Sequence, residues 1–359
     1  MNMTKQELFK TIDAVANCMT TLAAKGFHEY CPVSNIDIDK WEWPQGVGMY
    51  ALYRYYKLTG NKDMLDWLIA WYDRHLAAGL PEDRNINTTS PMLTLTYLYE
   101  ETGKPEYLAT IKDWAEYVMH SFARTEEGGF QHTGTGHHEL IGQLWDDTLV
   151  MTGLFLGRAG VLLKHQPYLT EAERQFLLHT KYLVDRDTGL WYHGWTFLGR
   201  HNYGKGLWGR GNCWISFAVA DFIEFEGVSE SVKLFLQETL YSQAVALAKF
   251  QNENGMWHTL VDDPTSYVEA SGTCGFGYGI LKGVRKGYLP EEYREVGIKA
   301  VKAILSRIDE EGAVGDVSYG TNVGNTPDEY KDIPICVMPY GQALAILMLG
   351  EAGYLCQDE

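Results

Sequence analysis

The stretch GFQHTGTGHHELIGQLWDDTLVM, residues 129–151, joins a glycine-rich loop to a polar cluster and then turns apolar. The cluster holds three histidines and two adjacent aspartates, which are His132, His137, His138, Asp146 and Asp147. The apolar residues that follow recur at helical spacing, which predicts a buried helix. A carboxylate at the mouth of such a helix, close to histidine and tryptophan, can have a raised pKa and deliver a proton near neutral pH. We therefore expect the rest of the chain to frame this acid.

Helical periodicity extends over the whole chain. It predicts twelve helices, near residues 4–25, 45–60, 62–79, 90–103, 105–122, 145–165, 170–184, 211–226, 229–252, 268–287, 290–308 and 335–354. Turn chemistry separates neighbouring helices, as in Thr59-Gly60-Asn61. Short connections between helices of this length are typical of antiparallel helical hairpins, so twelve helices indicate six hairpins.

A short motif recurs at the ends of several predicted helices. It consists of a polar residue, a glycine, an aromatic or apolar residue and often a histidine, and its glycines are Gly129, Gly189, Gly255 and Gly312. The steps between these glycines are 60, 66 and 57 residues, about the length of one hairpin. We predict a single all-α domain over residues 1–359, an (α/α)6 barrel whose repeated turns line one mouth. An open solenoid is the structural alternative.

Composition excludes several classes of protein. The chain has 359 residues, 45% of them hydrophobic and 21% charged, which favours a large core over disorder. A formal net charge of −17 argues against a nucleic-acid partner. No apolar run is long enough for a bilayer, and the amino-terminal helix is polar, so we expect neither a membrane partner nor a signal peptide. The six cysteines are scattered, which predicts reduced thiols, a cytoplasmic location and no zinc site.

Each candidate site residue has a structural interpretation beside the functional one. Asp146 or Asp147 could cap the following helix, or one of them could cap while the other points inward. His132 and His193 occupy equivalent positions in two repeats, which favours a shared cavity, although either could be a hydrogen-bonded structural residue. In LWGRGNCW, residues 207–214, the fork of Arg210 matches a carboxylate, or it could cap a backbone carbonyl.

With W-x-D-T at residues 145–148, W-x-R-G-N-x-W at 208–214 and EASGT at 269–273 in this order, the chain resembles the unsaturated rhamnogalacturonyl hydrolases of glycoside hydrolase family 105. The resemblance extends from Trp41 to Gly341. The unsaturated glucuronyl hydrolases of family 88 share the fold and similar motifs. The resemblance implies substrates left by polysaccharide lyases, which carry a 4,5-unsaturated uronic acid at the non-reducing end.

The reaction that the resemblance implies differs from the two-carboxylate displacement of ordinary glycosidases. An aspartic acid protonates C4 of the vinyl ether, water adds at C5, and the resulting hemiketal opens the ring and releases the remaining sugar. This chemistry needs no cofactor or metal. A small oligosaccharide is the expected partner, and the oligomeric state stays open.

The resemblance also implies roles for individual residues. Asp147 is the expected general acid and base, held protonated by the apolar walls of Trp145 and Trp208 or by its neighbour Asp146. Asp146 fills the variable position of the motif. The expected substrate-binding residues are Trp43, Asn87, His132, His193, Trp208, Arg210 and Trp214.

One position departs from the family pattern. Some members have a second carboxylate before the fourth helix, where this chain has Asn87 in the stretch NINTTSP. Asparagine can hold a hydroxyl group or a water molecule but cannot act as a base. Either Asn87 replaces the second acid and Asp147 carries more of the reaction, or Asp83 fills that role.

Two further functions compete with hydrolysis of an unsaturated uronide. A sugar epimerase or isomerase on the same barrel would use paired histidines, such as His132 with His193 or His258, as acid and base. A helical-repeat protein that only binds saccharides or proteins would keep its function after Asp147→Asn.

Overall fold

The computed structural model describes residues 4–23, 36–133, 140–202 and 204–355. His137 and His138, which the sequence analysis singled out, lie outside these residues, as do Cys31 and Cys356. The helices in chain order are α1 (Lys5–Thr20), α2 (Trp43–Thr59), α3 (Lys62–Ala78), α4 (Ile86–Thr89), α5 (Met92–Thr102), α6 (Pro105–His120), α7 (Leu154–Leu162), α8 (Gln166–Leu183), α9 (Gly209–Phe222), α10 (Glu230–Phe250), α11 (Ala270–Arg285), α12 (Arg294–Leu305) and α13 (Pro339–Gly353).

Six helices form an inner ring, in the order α2, α5, α7, α9, α11 and α13, and each packs on the next. Every residue of α9 and α13 is buried, which requires neighbours on all sides. The other long helices lie outside this ring and bury one face each; α1, for example, buries Leu8, Ile12, Val15 and Met19. The predicted (α/α)6 barrel of six hairpins is confirmed.

The ring closes between its first and last hairpins. Helix α13 packs on α2 and on α1. At this seam the Gln342 side chain donates from Nε2 to the carbonyl oxygens of Val15, at 3.2 Å, and Gly312, at 2.8 Å. An open solenoid has no such contact between its ends, so the solenoid alternative is wrong.

The repeated glycine motif is one turn used four times. In each copy a left-handed glycine, with φ between 79° and 87°, donates its amide to the residue three or four positions earlier; these glycines are Gly128, Gly189, Gly255 and Gly312. The first copy therefore turns at Gly128, one residue before the position predicted. A Cβ atom at Gly312 would lie 2.3 Å from the carbonyl oxygen of Ala14 in α1, so the turn also needs glycine for close packing on the next outer helix.

Four short strands and one small helix were not predicted. Strand β1 (Gln143–Trp145) pairs with β2 (Gly194–Thr196), and β3 (Trp257–His258) pairs with β4 (Val268–Glu269), both antiparallel. The helix predicted over 145–165 therefore begins later, at a π-helical turn over Leu149–Gly153 that continues into α7. Cross-strand pairing is a long-range contact, which helical periodicity does not report.

Candidate active site at the amino ends of the inner helices

The predicted site residues gather at one end of the barrel. Trp43 begins α2, Asn87 lies in α4, Asp147 precedes the π-helical turn, and Trp208 caps α9. The repeated glycine turns follow the outer helices α6, α8, α10 and α12, and they deliver the chain to this same end. Hairpin topology alone explains the clustering, because all inner helices run in one direction.

Asp147 is the most accessible carboxylate of the WDDT stretch. Its side chain is 18% exposed, and its Oδ1 atom lies 3.3 Å from Nδ1 of His132. The His132 ring stacks on Trp145 with 3.8 Å between the ring centroids and an angle of 5° between the rings. This stacking fixes the imidazole beside the carboxylate, where it can exchange or stabilise a charge.

The charge state of Asp147 differs from the expectation. Burial alone would raise the pKa of Asp147, but His132, His193 and His179 together bring it below the usual value. This direction is opposite to the expectation that tryptophan walls and Asp146 keep Asp147 protonated near pH 7, which stays a prediction. The neighbouring imidazoles outweigh the apolar walls.

Asp146 lies in the opposite environment. The residue is fully buried, and neither carboxyl oxygen has a hydrogen-bond partner among the described residues. Burial first, and the charge of Asp147 second, raise the pKa of Asp146 well above its usual value. Its amide donates to the carbonyl of His193 at 3.0 Å, which ties the WDDT turn to the strand partner. The pKa values of the two successive carboxyls are thus shifted in opposite directions.

His193 is a neutral, buried imidazole. Its Nδ1 atom lies 2.8 Å from the hydroxyl of Tyr330, and its ring lies 4.2 Å from Trp208 and 5.4 Å from Trp145. Burial lowers the pKa of His193 to about 3. The Nε2 atom is buried and has no partner among the described residues.

His179 and Tyr330 complete this group, and the sequence analysis missed both. His179 lies in α8, donates from Nδ1 to the carbonyl of Gln175 at 2.8 Å, and leaves Nε2 without a described partner. Burial lowers the pKa of His179 to about 4. The sequence does contain a signal for His179, because it is a histidine on the apolar face of α8. Tyr330 lies 137 residues from His193, and no local pattern links the two.

Arg210 is buried and engaged with protein groups. Its Nη1 donates to the carbonyl of Ser318 and its Nη2 to the carbonyl of Tyr319, both at 3.0 Å, while Nη2 also donates to the Thr321 hydroxyl at 2.8 Å. The guanidinium lies between the rings of Trp208 and Tyr340, 4.6 and 4.7 Å from their centroids. These contacts fit the structural alternative, in which Arg210 caps carbonyls, because both Nη groups of a bidentate clamp are already occupied.

The aromatic residues of the site differ in exposure, with Trp43 at the surface of the site and Trp214 behind it. Trp43 stacks on Tyr340 with 4.8 Å between the ring centroids and retains 9% exposure. Trp214 meets Trp43 edge-on at 6.2 Å and is 1% exposed, so its position is behind Trp43 and not at the surface of the site. Trp208 is also buried, but its indole Nε1 has no described partner.

Asn87 and Asp83 lie in different environments. Asn87 is buried in α4, which packs on the π-helical turn that follows Asp147. The amide of Ile86 donates to the carbonyl of Thr133, next to His132, at 3.2 Å. Asp83 lies in the preceding loop, half-buried, and its carbonyl accepts from the Thr88 hydroxyl at 2.9 Å. The position of α4 favours Asn87 as the residue that faces the site.

Among residues 4–23, 36–133, 140–202 and 204–355, no group of three or more His, Cys, Asp or Glu side chains is arranged to hold a metal ion. Within this part of the chain, no helix has the length and apolar character needed to cross a membrane. Cys18, Cys213, Cys274 and Cys336 are free thiols.

A barrel of inner and outer helical rings, with carboxyls, histidines and tryptophans at the amino ends of the inner helices, defines the class of (α/α)6-barrel glycoside hydrolases. The chain belongs to Glycosyl Hydrolase Family 88, whose family model matches residues 12–355. It is therefore an enzyme, and the interpretation as a protein that only binds saccharides is wrong.

Relatives sharpen this assignment and confirm the resemblance seen in the sequence. The chain is 35% identical over 313 residues to the unsaturated rhamnogalacturonyl hydrolase YesR of Bacillus subtilis, covering 87% of this chain and 89% of the relative. It is similar to the structure of a possible member of the GH105 family from Salmonella enterica, with 41% identity, a TM-score of 0.94, and coverage of 99% and 96%. A possible GH105 member from Klebsiella pneumoniae is similar at 42% identity and a TM-score of 0.92, with coverage of 99% and 95%.

Proposed function

We propose that this chain hydrolyses 4,5-unsaturated uronyl residues from the non-reducing end of oligosaccharides produced by polysaccharide lyases. The first substrate to test is unsaturated rhamnogalacturonan disaccharide, because the relative from Bacillus subtilis is named for that linkage. The observation that carries the proposal is the partly exposed carboxylate of Asp147, which lies 3.3 Å from the His132 imidazole that stacks on Trp145. Residues 1–359 act as one catalytic domain in this proposal, with a cytoplasmic location.

The proposed mechanism uses Asp147 as the group that moves the proton. Asp147 protonates C4 of the vinyl ether, and the developing positive charge at C5 is trapped by water. The carboxylate then takes a proton from that water, so it acts first as acid and then as base. Since the histidines lower the pKa of Asp147 in the free site, substrate binding has to favour its protonated form. The anionic carboxylate of the uronide, placed nearby, favours protonation of Asp147.

The surrounding residues bind and orient the sugar. Trp43 and Trp145 offer flat apolar faces to a pyranose ring. The Nε2 atoms of His179 and His193, which have no described partner, can form hydrogen bonds with hydroxyl groups or the attacking water. Asn87 holds a hydroxyl or a water molecule without acting as a base. Arg210 supports this arrangement by fixing the loop at residues 318–321 and the ring of Trp208.

The test follows ultraviolet absorbance of the vinyl ether after the purified protein is mixed with unsaturated rhamnogalacturonan disaccharide. Loss of absorbance with wild type and not with Asp147→Asn supports the proposal. Loss of absorbance only with unsaturated glucuronyl disaccharides would show that the substrate carries a glucuronyl residue and not a galacturonyl residue. No loss with any unsaturated uronide would contradict the proposal and favour an epimerase or isomerase that acts on saturated sugars.

A further inference from the structure

The side chain of Tyr330 is packed into a fixed position beside His193. Tyr330 ends a short 3₁₀-helix, Pro327–Tyr330, and is 1% exposed. Two glycines leave room for its ring, because a Cβ atom at Gly206 would lie 2.8 Å from Cε2 of Tyr330, and a Cβ atom at Gly324 would lie 2.9 Å from the same atom. Such close packing holds the phenol, and therefore its hydroxyl group, in one place.

The hydrogen bonds of the Tyr330 hydroxyl fix the direction of its own proton. The amide of Gly324 donates to the hydroxyl oxygen at 3.1 Å, and Nδ1 of His193 lies 2.8 Å from that oxygen. In the described part of the chain this hydroxyl has no third partner. An amide only donates, so Nδ1 is the one acceptor that the O–H group can reach. A buried O–H group without an acceptor is costly, and Tyr330 therefore donates to His193.

This bond decides which nitrogen atom of His193 carries a proton. A neutral imidazole has one N–H group, and the nitrogen that accepts from Tyr330 has none. Burial lowers the pKa of His193 to about 3, so the ring is neutral and its single proton lies on Nε2. Trp208, at 4.2 Å, and Trp145, edge-on at 5.4 Å, pack against the ring and fix its orientation. Nε2 of His193 is thus a buried donor, and no described residue accepts from it.

His179 has the opposite arrangement of its ring proton. Its Nδ1 atom lies 2.8 Å from the carbonyl oxygen of Gln175, which can only accept, so the proton lies on Nδ1. Burial keeps this imidazole neutral as well, by lowering its pKa to about 4. Nε2 of His179 is therefore an acceptor, and it also has no partner among the described residues. The two buried imidazoles differ in hydrogen-bonding polarity because their Nδ1 atoms face different groups.

We propose that Tyr330 is a positioning residue that holds the proton of His193 on Nε2, so that His193 donates a hydrogen bond to an oxygen atom of the bound sugar. The group that His193 recognises is then a hydrogen-bond acceptor of the uronyl residue. A neutral imidazole that already carries its proton on Nε2 takes no proton from water or from a hydroxyl group there. His193 is accordingly a donor to the ligand and not the base of a histidine pair.

The first measurement is independent of enzymatic activity. Nitrogen–proton correlation spectra of protein labelled with ¹⁵N-histidine distinguish the two neutral forms of each ring, and His193→Gln assigns the His193 signals. We expect the proton of His193 on Nε2 in wild type and in the control Tyr241→Phe, which removes an exposed phenol hydroxyl on α10. In Tyr330→Phe the His193 signals should shift to a mixture of both forms, while His179 keeps its proton on Nδ1.

Two results of these spectra would overturn the proposal. One is a wild-type His193 with its proton on Nδ1, and the other is a folded Tyr330→Phe variant in which His193 keeps the pure Nε2–H form. Should Tyr330→Phe fail to fold, the wild-type spectrum still decides the direction of the bond between Tyr330 and His193.

The second measurement rests on the proposed function and compares KM with kcat on unsaturated rhamnogalacturonan disaccharide. Tyr330→Phe should raise KM about tenfold, the effect of one lost hydrogen bond, with kcat within about threefold. Tyr241→Phe should change neither constant. An unchanged KM in folded Tyr330→Phe, with or without a fall in kcat, would overturn the proposed contact with the sugar. If wild type hydrolyses no unsaturated uronide, the proposed function fails, while the spectra still locate the proton of His193.

Discussion

The chain contains two Asp-Asp dipeptides, Asp146-Asp147 and Asp262-Asp263, and their environments are opposite. Asp263 accepts hydrogen bonds at 2.8 Å from the amide of Thr265 and at 2.7 Å from Lys331, at the protein surface. Lys331 and Thr265 lower the pKa of Asp263. Asp146 has no bonding partner among the described residues, and burial raises its pKa. The same dipeptide thus contains a carboxylate paired with Lys331 in one place and a buried carboxyl with a raised pKa in the other.

This difference shows that burial and the neighbouring charged or hydrogen-bonding groups decide the pKa of each carboxyl. The dipeptide sequence itself does not. In both pairs one residue has a lowered pKa and the other a raised one. At the surface the split has a local cause, namely Lys331 and the loop hydrogen bonds. In the barrel it depends on burial, which raises the pKa of Asp146, and on histidines from three separate segments, which lower the pKa of Asp147.

The largest expected effect separates the two pairs by activity. Asp147→Asn should lower kcat by about 10²–10⁴-fold, because the amide cannot donate or accept the catalytic proton. The matched change Asp263→Asn should leave kcat within about twofold, because Asp263 bonds to Thr265 and Lys331 and surface substitutions usually have small effects. Steady-state kinetics on the unsaturated disaccharide measure both. Similar losses of kcat in Asp147→Asn and Asp263→Asn would show that the two Asp-Asp pairs do not differ in their importance for catalysis.

The next effect concerns the space reserved for Asp146. Gly211→Ala should destabilise the protein by about 1–3 kcal/mol, since the new methyl group would overlap the Asp146 carboxyl and the Trp208 ring. Gly315→Ala is the control, because its new methyl group would lie 3.4 Å from the Arg307 carbonyl oxygen, an ordinary van der Waals contact. Denaturant unfolding gives both values. Equal free energies of unfolding for Gly211→Ala and Gly315→Ala would mean that the Asp146 carboxyl is not tightly packed against Gly211.

A smaller effect tests the imidazole beside Asp147. His132→Gln removes the histidine that most lowers the pKa of Asp147, so that pKa should rise. We expect kcat to fall about tenfold and the limb of the pH profile that reports Asp147 to move to higher pH. His120→Gln, at a side chain 64% exposed, is the control. A profile that stays in place would show that His132 does not set the charge of Asp147.

The smallest effect is on stability against pH. Asp146 binds its proton more tightly in the folded state than in the unfolded chain, so its contribution lowers stability as pH rises above the unfolded pKa of about 3.9. Asp146→Asn removes this cost and should raise Tm by about 1–3 °C at neutral pH, with no gain below about pH 4. Calorimetry at several pH values measures the difference. A gain of the same size in Asp262→Asn would remove the contrast between buried and surface pairs.

Much of the fold was predictable because its signals are local. Helical periodicity, turn glycines and their regular spacing gave six hairpins, and hairpin topology then placed His132, Asp147 and His193 at one mouth. The π-helical turn and the β1–β2 pairing were not predictable, since they depend on contacts across the barrel.

The roles within the site were less predictable than its location. Arg210 has the residue type of a carboxylate clamp, but carbonyls more than a hundred positions away occupy its Nη groups. Asp147 has the position of a protonated acid, but imidazoles brought by distant segments change its charge. Proton affinity and hydrogen-bond saturation are properties of the assembled site, and a single segment does not report them.

The seam where Gln342 of α13 bonds to Val15 of α1 has a consequence for how the protein unfolds. In an open array the terminal repeats have one neighbour and can fray independently, so stability is lost step by step. A closed ring has no terminal repeat, and every inner helix is held from both sides. Opening any one hairpin exposes two buried interfaces at once. We therefore expect cooperative, all-or-none melting of the barrel, in which damage at the seam weakens the distant mouth as much as the helices beside it.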